Sequence, residues 1–212
     1  MSLPHLILGS GSPQRHRLLT EAGYRFDVVV PGEAAECGIC STGGPAALVA
    51  DLALRKAADV AGQVGTREER KPGIPEGCLI IACDTVAECG GAVLGKPNDQ
   101  EHARSMLRRL SGTVHRVYSG LCLWPHQIPQ PIRPIETRVA VTELRMDRLA
   151  DADLEEYLAS GLWRGKAGAF GYQDRVGWLH VDAGSEANVI GLPTELLAEM
   201  LVPWDGDFMT IA

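Results

Sequence analysis

The run Leu79-Ile80-Ile81-Ala82-Cys83 has no polar alternation. A strand that is apolar at every position must be covered on both faces, so the run predicts an α/β sheet with helices above and below it. Asp84 and Thr85 are placed at its end, and in open α/β sheets ligands collect at the carboxyl ends of strands. A carboxylate there either caps the next turn or faces a cleft, where it can deprotonate a water or hold a divalent cation against phosphate oxygens.

A second unit has the same logic. Leu6-Ile7-Leu8 is a short strand broken by Gly9-Ser10-Gly11, with Ser12 as helix N-cap and Pro13 at the first helical position. The helix carries Leu18, Leu19 and Ala22 on one side and stops at Gly23. Arg15, His16 and Arg17 fall in or near its first turn, where the macrodipole disfavours cations by about 0.3–1 kcal/mol each. They are solvated surface arginines, or a phosphate chain bound by the free N–H groups of the turn offsets the penalty.

A strand at Phe26 to Val30 follows, then a helix from Pro45 to Ala61. At about 100° per residue, Leu48, Val49, Leu52, Ala53 and Val60 share one face of that helix, and Lys56 lands near its middle. Asp51, Arg55 and Asp59 already supply the solvent face. Lys56 therefore snorkels or serves a ligand.

Gly62 to Gly77 reads as a surface loop. A helix then begins near Asn98 or Asp99 and runs to Ser111-Gly112, with Ala103, Met106, Leu107 and Leu110 at helical spacing. Val114 to Trp124 and Ile135 to Arg145 predict an antiparallel pair joined by the proline-rich stretch Pro125 to Pro134, and Asp151 to Ser160 a helix ended by Gly161. Lys166 to Tyr172 is an irregular glycine-alanine segment, followed by a strand at Trp178 to Val181 and a helix from Pro193 to Leu201. Lys96 between Gly95 and Pro97 repeats the pattern of Arg15. Lys166 and Gln173 are polar groups in a small-residue loop that brings backbone near a ligand.

Composition narrows the chemistry. The 212 residues carry 20 basic and 27 acidic side chains, a formal charge of -7, so no broad basic face is available for nucleic acid. A polyanionic partner must be small and locally held. No apolar run approaches the roughly 18 residues of a membrane span, and Met1 to Ser12 has no secretory leader pattern. The 6 cysteines then fit reduced thiols in the cytoplasm. Cys37 and Cys40 form a CxxC without a second ligand pair for zinc. No Gly-x-Ser-x-Gly elbow, histidine-cysteine pairing or P-loop is present, which leaves triphosphate hydrolysis outside the P-loop class.

The pieces in this order resemble the Maf family of nucleoside triphosphate pyrophosphatases: Leu6-Ile7-Leu8-Gly9-Ser10-Gly11-Ser12-Pro13-Gln14-Arg15, Leu52-Ala53-Leu54-Arg55-Lys56-Ala57, Ala82-Cys83-Asp84-Thr85, Gly95-Lys96-Pro97, Leu107-Arg108-Arg109-Leu110-Ser111-Gly112, Lys166-Ala167-Gly168-Ala169-Phe170-Gly171-Tyr172-Gln173 and Val189-Ile190-Gly191-Leu192-Pro193. The resemblance runs from about His5 to Leu201. It implies one Maf-like domain over residues 1–212, similar to inosine triphosphate pyrophosphatases: a long twisted mixed sheet flanked by helices, with two lobes and a central nucleotide cleft. It also implies cytoplasmic hydrolysis of a nucleoside triphosphate to monophosphate and pyrophosphate with Mg²⁺ or Mn²⁺, and a homodimer.

By the family pattern Asp84 is the proton acceptor and a metal ligand, and Ser10, Arg15, Lys56 and Lys96 surround the triphosphate. The acidic position after the second strand, a substrate residue, falls on Glu33 or Glu36, with Glu33 the further metal ligand. Thr85, Lys166 and Gln173 are similar to the branch acting on dTTP and UTP, where Gln14 replaces the usual arginine. The alternatives are a pyrophosphatase for modified purines such as 7-methyl-GTP, and a nucleotide-binding regulator of cell division.

Overall fold

The structure is a computed structural model that describes residues 3–35, 43–65, 73–74, 77–128, 133–174 and 177–205. Glu36, Cys37 and Cys40 lie outside the described residues. In chain order, β1 (His5–Gly9) leads through α1 (Pro13–Glu21) to β2 (Phe26–Val28), and α2 (Gly44–Val64) precedes β3 (Cys78–Cys89) and β4 (Ala92–Leu94). Then come α3 (Gln100–Leu110), β5 (Val114–His126), β6 (Glu136–Met146), α4 (Asp151–Ser160), β7 (Leu179–Ala183), α5 (Glu186–Ile190) and α6 (Thr194–Leu201).

These strands form one 7-stranded sheet in the order β2-β1-β3-β5-β6-β7, with β4 paired to β3 off this path. β1 is parallel to β2 and to β3, whereas β3, β5, β6 and β7 pair antiparallel. The expected mixed sheet flanked by helices is what forms. Its central strand is covered on both faces: Ile80 and Ala82 pack under α2 with Ala53, Ala57 and Val60, while Leu79, Ile81 and Cys83 meet Leu18 and Leu19 of α1 and Leu197 and Leu201 of α6. A third cluster joins α3 and α4 to the far ends of β3, β5 and β6.

Several boundaries differ from the sequence reading. β3 does not stop at Cys83, because β5 pairs with it residue by residue from Cys78 to Glu88, which keeps Asp84 and Thr85 inside the strand. α2 runs on to Val64, past the expected loop start, since Val64 is buried against the sheet. β2 ends at Val28. The expected last helix forms as α6, and a short helix the sequence reading did not assign, α5, capped by the Ser185 side chain, precedes it across Gly191 to Pro193. Among the described residues, no helix is long and apolar enough to cross a membrane.

Candidate functional site

Two pairing limits create the opening. β1 pairs with β3 only up to Gly9 opposite Ala82, and β4 takes the same edge from Ala87 onward. Among the described residues, no strand pairs with 83–86 on that edge. The glycine-serine turn after β1 and the loop carrying Lys96 border the gap, and a cleft of about 430 Å³ opens there.

Strand alternation aims the chemistry. Asp84 has the parity of Ile80 and Ala82, so its carboxylate faces α2. There Lys56, only 4% exposed, donates from Nζ to Asp84 Oδ1 at 2.6 Å. The lysine singled out on the apolar helix face therefore turns into the cleft and pairs with Asp84; it does not snorkel to solvent. Thr85 has the opposite parity and meets Ser119 on the neighbouring strand, Oγ1 to Oγ at 2.8 Å.

Arg15 enters from the first turn of α1. Its guanidinium donates to the Gly191 carbonyl at 2.8 Å, to Ser10 Oγ at 3.2 Å and to Thr85 Oγ1 at 3.3 Å. These acceptors offset the dipole penalty and hold the cation over the end of the sheet. Ser12 caps the helix by accepting from the Arg15 N–H, and its hydroxyl donates to Gln14 Oε1 at 3.1 Å. Arg17 stays outside the cleft, paired with Glu21 at 3.6 Å.

Ser10, Gln14, Arg15, Lys56, Asp84, Thr85, Lys96 and Lys166 all border this one cleft. Glu33 does not; it is exposed on the 3₁₀ turn Glu33–Ala35. Gln173 has its backbone in the turn Tyr172–Asp174. An added Cβ at Gly95 would meet no protein atom within 4 Å, so the space beside it is open. What Gly95 contributes is its carbonyl, which accepts from the Gly168 N–H at 3.0 Å and ties the Lys96 loop to the 167–169 turn.

The sequence reading missed Ser119, the Gly191 carbonyl and His115. His115 borders the cleft, is 2% exposed and leaves Nδ1 without a hydrogen-bond partner among the described residues. Burial holds its pKa below the ordinary value, against a backbone hydrogen bond at Thr113 and the Glu88 carboxylate. The folded chain thus binds this proton more weakly than the unfolded chain. The stability that follows is present above the unfolded pKa of about 6.5 and is lost as pH falls through the lower folded value. Urea denaturation of the wild type is expected to show falling stability below about pH 6.5, and His115→Phe a shallower fall; equal slopes would remove His115 as the source.

A cationic cleft at the point where β1 stops and β3 continues belongs to the class of α/β proteins that take phosphate-bearing ligands at a switch point. Comparison with known proteins specifies which class member this is: the family model "Maf-like protein" matches residues 5–203, and the chain belongs to that family. It is 48% identical over 197 residues to a "dTTP/UTP pyrophosphatase" of Rhodopirellula baltica, covering 92% of this chain and 80% of the relative. A protein of the same description from Rhizobium meliloti is 39% identical, covering 93% and 91%. The Staphylococcus aureus Ham1 protein superposes with a TM-score of 0.41 at 11% identity over 67% of this chain and 71% of its own, too distant a likeness to bear on function.

Proposed function

We propose that this protein hydrolyses a pyrimidine nucleoside triphosphate, UTP or dTTP, to the monophosphate and pyrophosphate. The observation that carries the reading is the Lys56–Asp84 pair, a buried ammonium 2.6 Å from a strand-borne carboxylate in a cleft that also holds Arg15 and Lys96. The descriptions of the relatives support the base and the reaction.

In this mechanism Asp84 accepts a proton from a water whose oxygen bonds to the α-phosphorus. The bond from that phosphorus to the α–β bridging oxygen breaks, and pyrophosphate leaves with the electron pair. Lys56 engages Oδ1, and a carboxylate has acceptor capacity left for the water. Arg15, Lys56 and Lys96 set positive charge where the leaving group gains negative charge. Positioning and charge stabilisation are most of what such a displacement asks of the protein.

Asp84 also fits a Mg²⁺ or Mn²⁺ ion. The described residues hold no cluster of three or more metal-binding side chains, and Mg²⁺ is commonly held by one or two carboxylates plus substrate phosphates. When bound, the ion would neutralise phosphate charge, with Asp84 as its protein ligand. Glu33, on its exposed turn, has no place in that set here. The cytoplasm as the site of action is supported by Cys78, Cys83, Cys89 and Cys122, all buried free thiols.

Pyrophosphate release across UTP, dTTP, CTP, GTP and 7-methyl-GTP tests the reading. UTP and dTTP are expected to lead by about tenfold or more in kcat/KM, with activity lost on chelation and restored by Mg²⁺. A lead for 7-methyl-GTP would overturn the base assignment, and nucleotide binding without turnover would overturn the enzyme.

A further inference from the structure

The cleft lining is of two kinds. Arg15 reaches Thr85 and Lys56 reaches Asp84 on neighbouring positions of β3, whereas Ala87, Leu110, Val117 and Phe170 pack in one apolar cluster that the Lys96 loop and Lys166 border. A nucleotide is equally two-sided, so its polyanionic tail belongs with the cations and its flat base with the apolar wall. That wall is closed by the segment 166–171, and the segment is fastened more firmly than an irregular glycine-alanine stretch requires.

Lys166 lines the cleft, yet its ammonium is not directed to the tail. It donates to both carboxylate oxygens of Asp174, at 2.5 and 2.6 Å. Tyr157 of α4 donates to Asp174 Oδ2 at 2.6 Å and accepts from the backbone N–H of Gly171, which borders the cleft. Asp174 is 5% exposed and Lys166 15% exposed at the side chain. Burial, followed by the adjacent Asp174 carboxylate, holds the Tyr157 phenol well above its ordinary pKa, so it remains a donor.

Stability does not explain this arrangement, because an apolar replacement of a buried ion pair is often as stable. Nor is the enclosed backbone relaxed: Ala169 is buried with a φ of 65°, in the left-handed region that a residue with a side chain avoids. An ion pair, a phenol and a strained alanine thus hold one short wall in one shape.

We propose that Asp174, clamped between Lys166 and Tyr157, is a positioning residue for base discrimination that fixes the 166–171 wall at the base end of the cleft. This rests on the reading that the enzyme acts on UTP or dTTP. The clamp also neutralises Lys166, which keeps a loose cation at the base end from competing for the triphosphate tail.

The test is Asp174→Asn, which keeps the shape and loses the charge, measured as kcat and KM separately for UTP and GTP. KM for UTP is expected to rise about tenfold with kcat within about threefold, and the preference for UTP over GTP to fall by a similar factor. Asp174→Glu should recover part of the preference. An equal loss for both nucleotides, or an unchanged preference, would overturn the proposal by reducing the clamp to a structural tie. Tyr157→Phe, which keeps the ion pair, should shift the preference in the same direction; if Asp174→Asn does not fold, no shift in Tyr157→Phe overturns the proposal on its own. The wild type measured alongside separates the two readings: no hydrolysis of UTP or dTTP overturns both, whereas normal hydrolysis with preference intact in the variant overturns only this one.

Discussion

Asp84→Asn is expected to lower kcat for UTP by about a thousandfold, in the range that positioned general bases contribute, while nucleotide binding persists. Asparagine has nearly the same shape and keeps an oxygen toward Lys56, so the strand and its pairing with Gly120 need not move. What vanishes is the negative charge that accepts the water proton. Lys56, 5% exposed at the side chain, then loses the charge of its Asp84 partner. A buried charge without its partner costs about 3–5 kcal/mol in a closed interior, and less beside an open cleft. A moderate fall in urea stability should therefore accompany the kinetic loss.

The ammonium also sharpens the diagnosis. With Asp84 neutral, less of the Lys56 charge is balanced at this contact and more is available to phosphate oxygens, so the dissociation constant for UTP should stay level or tighten. Titration calorimetry with UTP beside a turnover assay separates these effects. Near-normal turnover would remove Asp84 as the proton acceptor, and loss of binding in step with turnover would show that the variant had only damaged the cleft.

How much of this was readable beforehand depended on whether a residue's role is local or made by distant packing. Lys56 stood out because a charge amid Val49, Ala53 and Val60 contradicts the period of its own helix. Asp84 stood out because it interrupts an apolar run. Its inclusion in β3 could not be read, since the strand is prolonged by pairing with β5 and not by its own apolarity. Ser119 and His115 did leave a signal: they share parity with Val117, Leu121 and Leu123 on the buried face of β5, where polar groups are out of place. The Gly191 carbonyl left none, because a backbone oxygen acting on a side chain 176 positions away has no sequence pattern. The five residues of α5 are too few to display a helical period, and Tyr157 meets Asp174 only after α4 docks.

Gly120→Ala should produce the largest loss of stability of any single methyl group added to this protein. The new Cβ would lie 2.1 Å from the Val49 carbonyl oxygen, 2.4 Å from Val49 C and 2.8 Å from the Ala50 nitrogen, all backbone atoms of α2. A flexible side chain could swing aside; a helix backbone cannot. The strand is equally fixed, because Gly120 pairs with Asp84 on one side and Val139 on the other. Relief requires α2 to lift from the sheet, which strips cover from the face that Ala53, Ala57 and Val60 protect. Overpacking of this kind costs typically about 1–3 kcal/mol, and with backbone on both sides the expected loss is about 3 kcal/mol or more. Lys56 rides on the same helix, so any lift lengthens its 2.6 Å contact with Asp84 and should raise KM for UTP in the fraction that still folds. Gly95→Ala is the matched control, since its Cβ meets nothing within 4 Å, and it should stay within about 0.5 kcal/mol of wild type. Urea denaturation of both variants decides the matter: a Gly120→Ala chain as stable as the control would mean that α2 does not rest on this strand as closely as the Lys56–Asp84 contact demands.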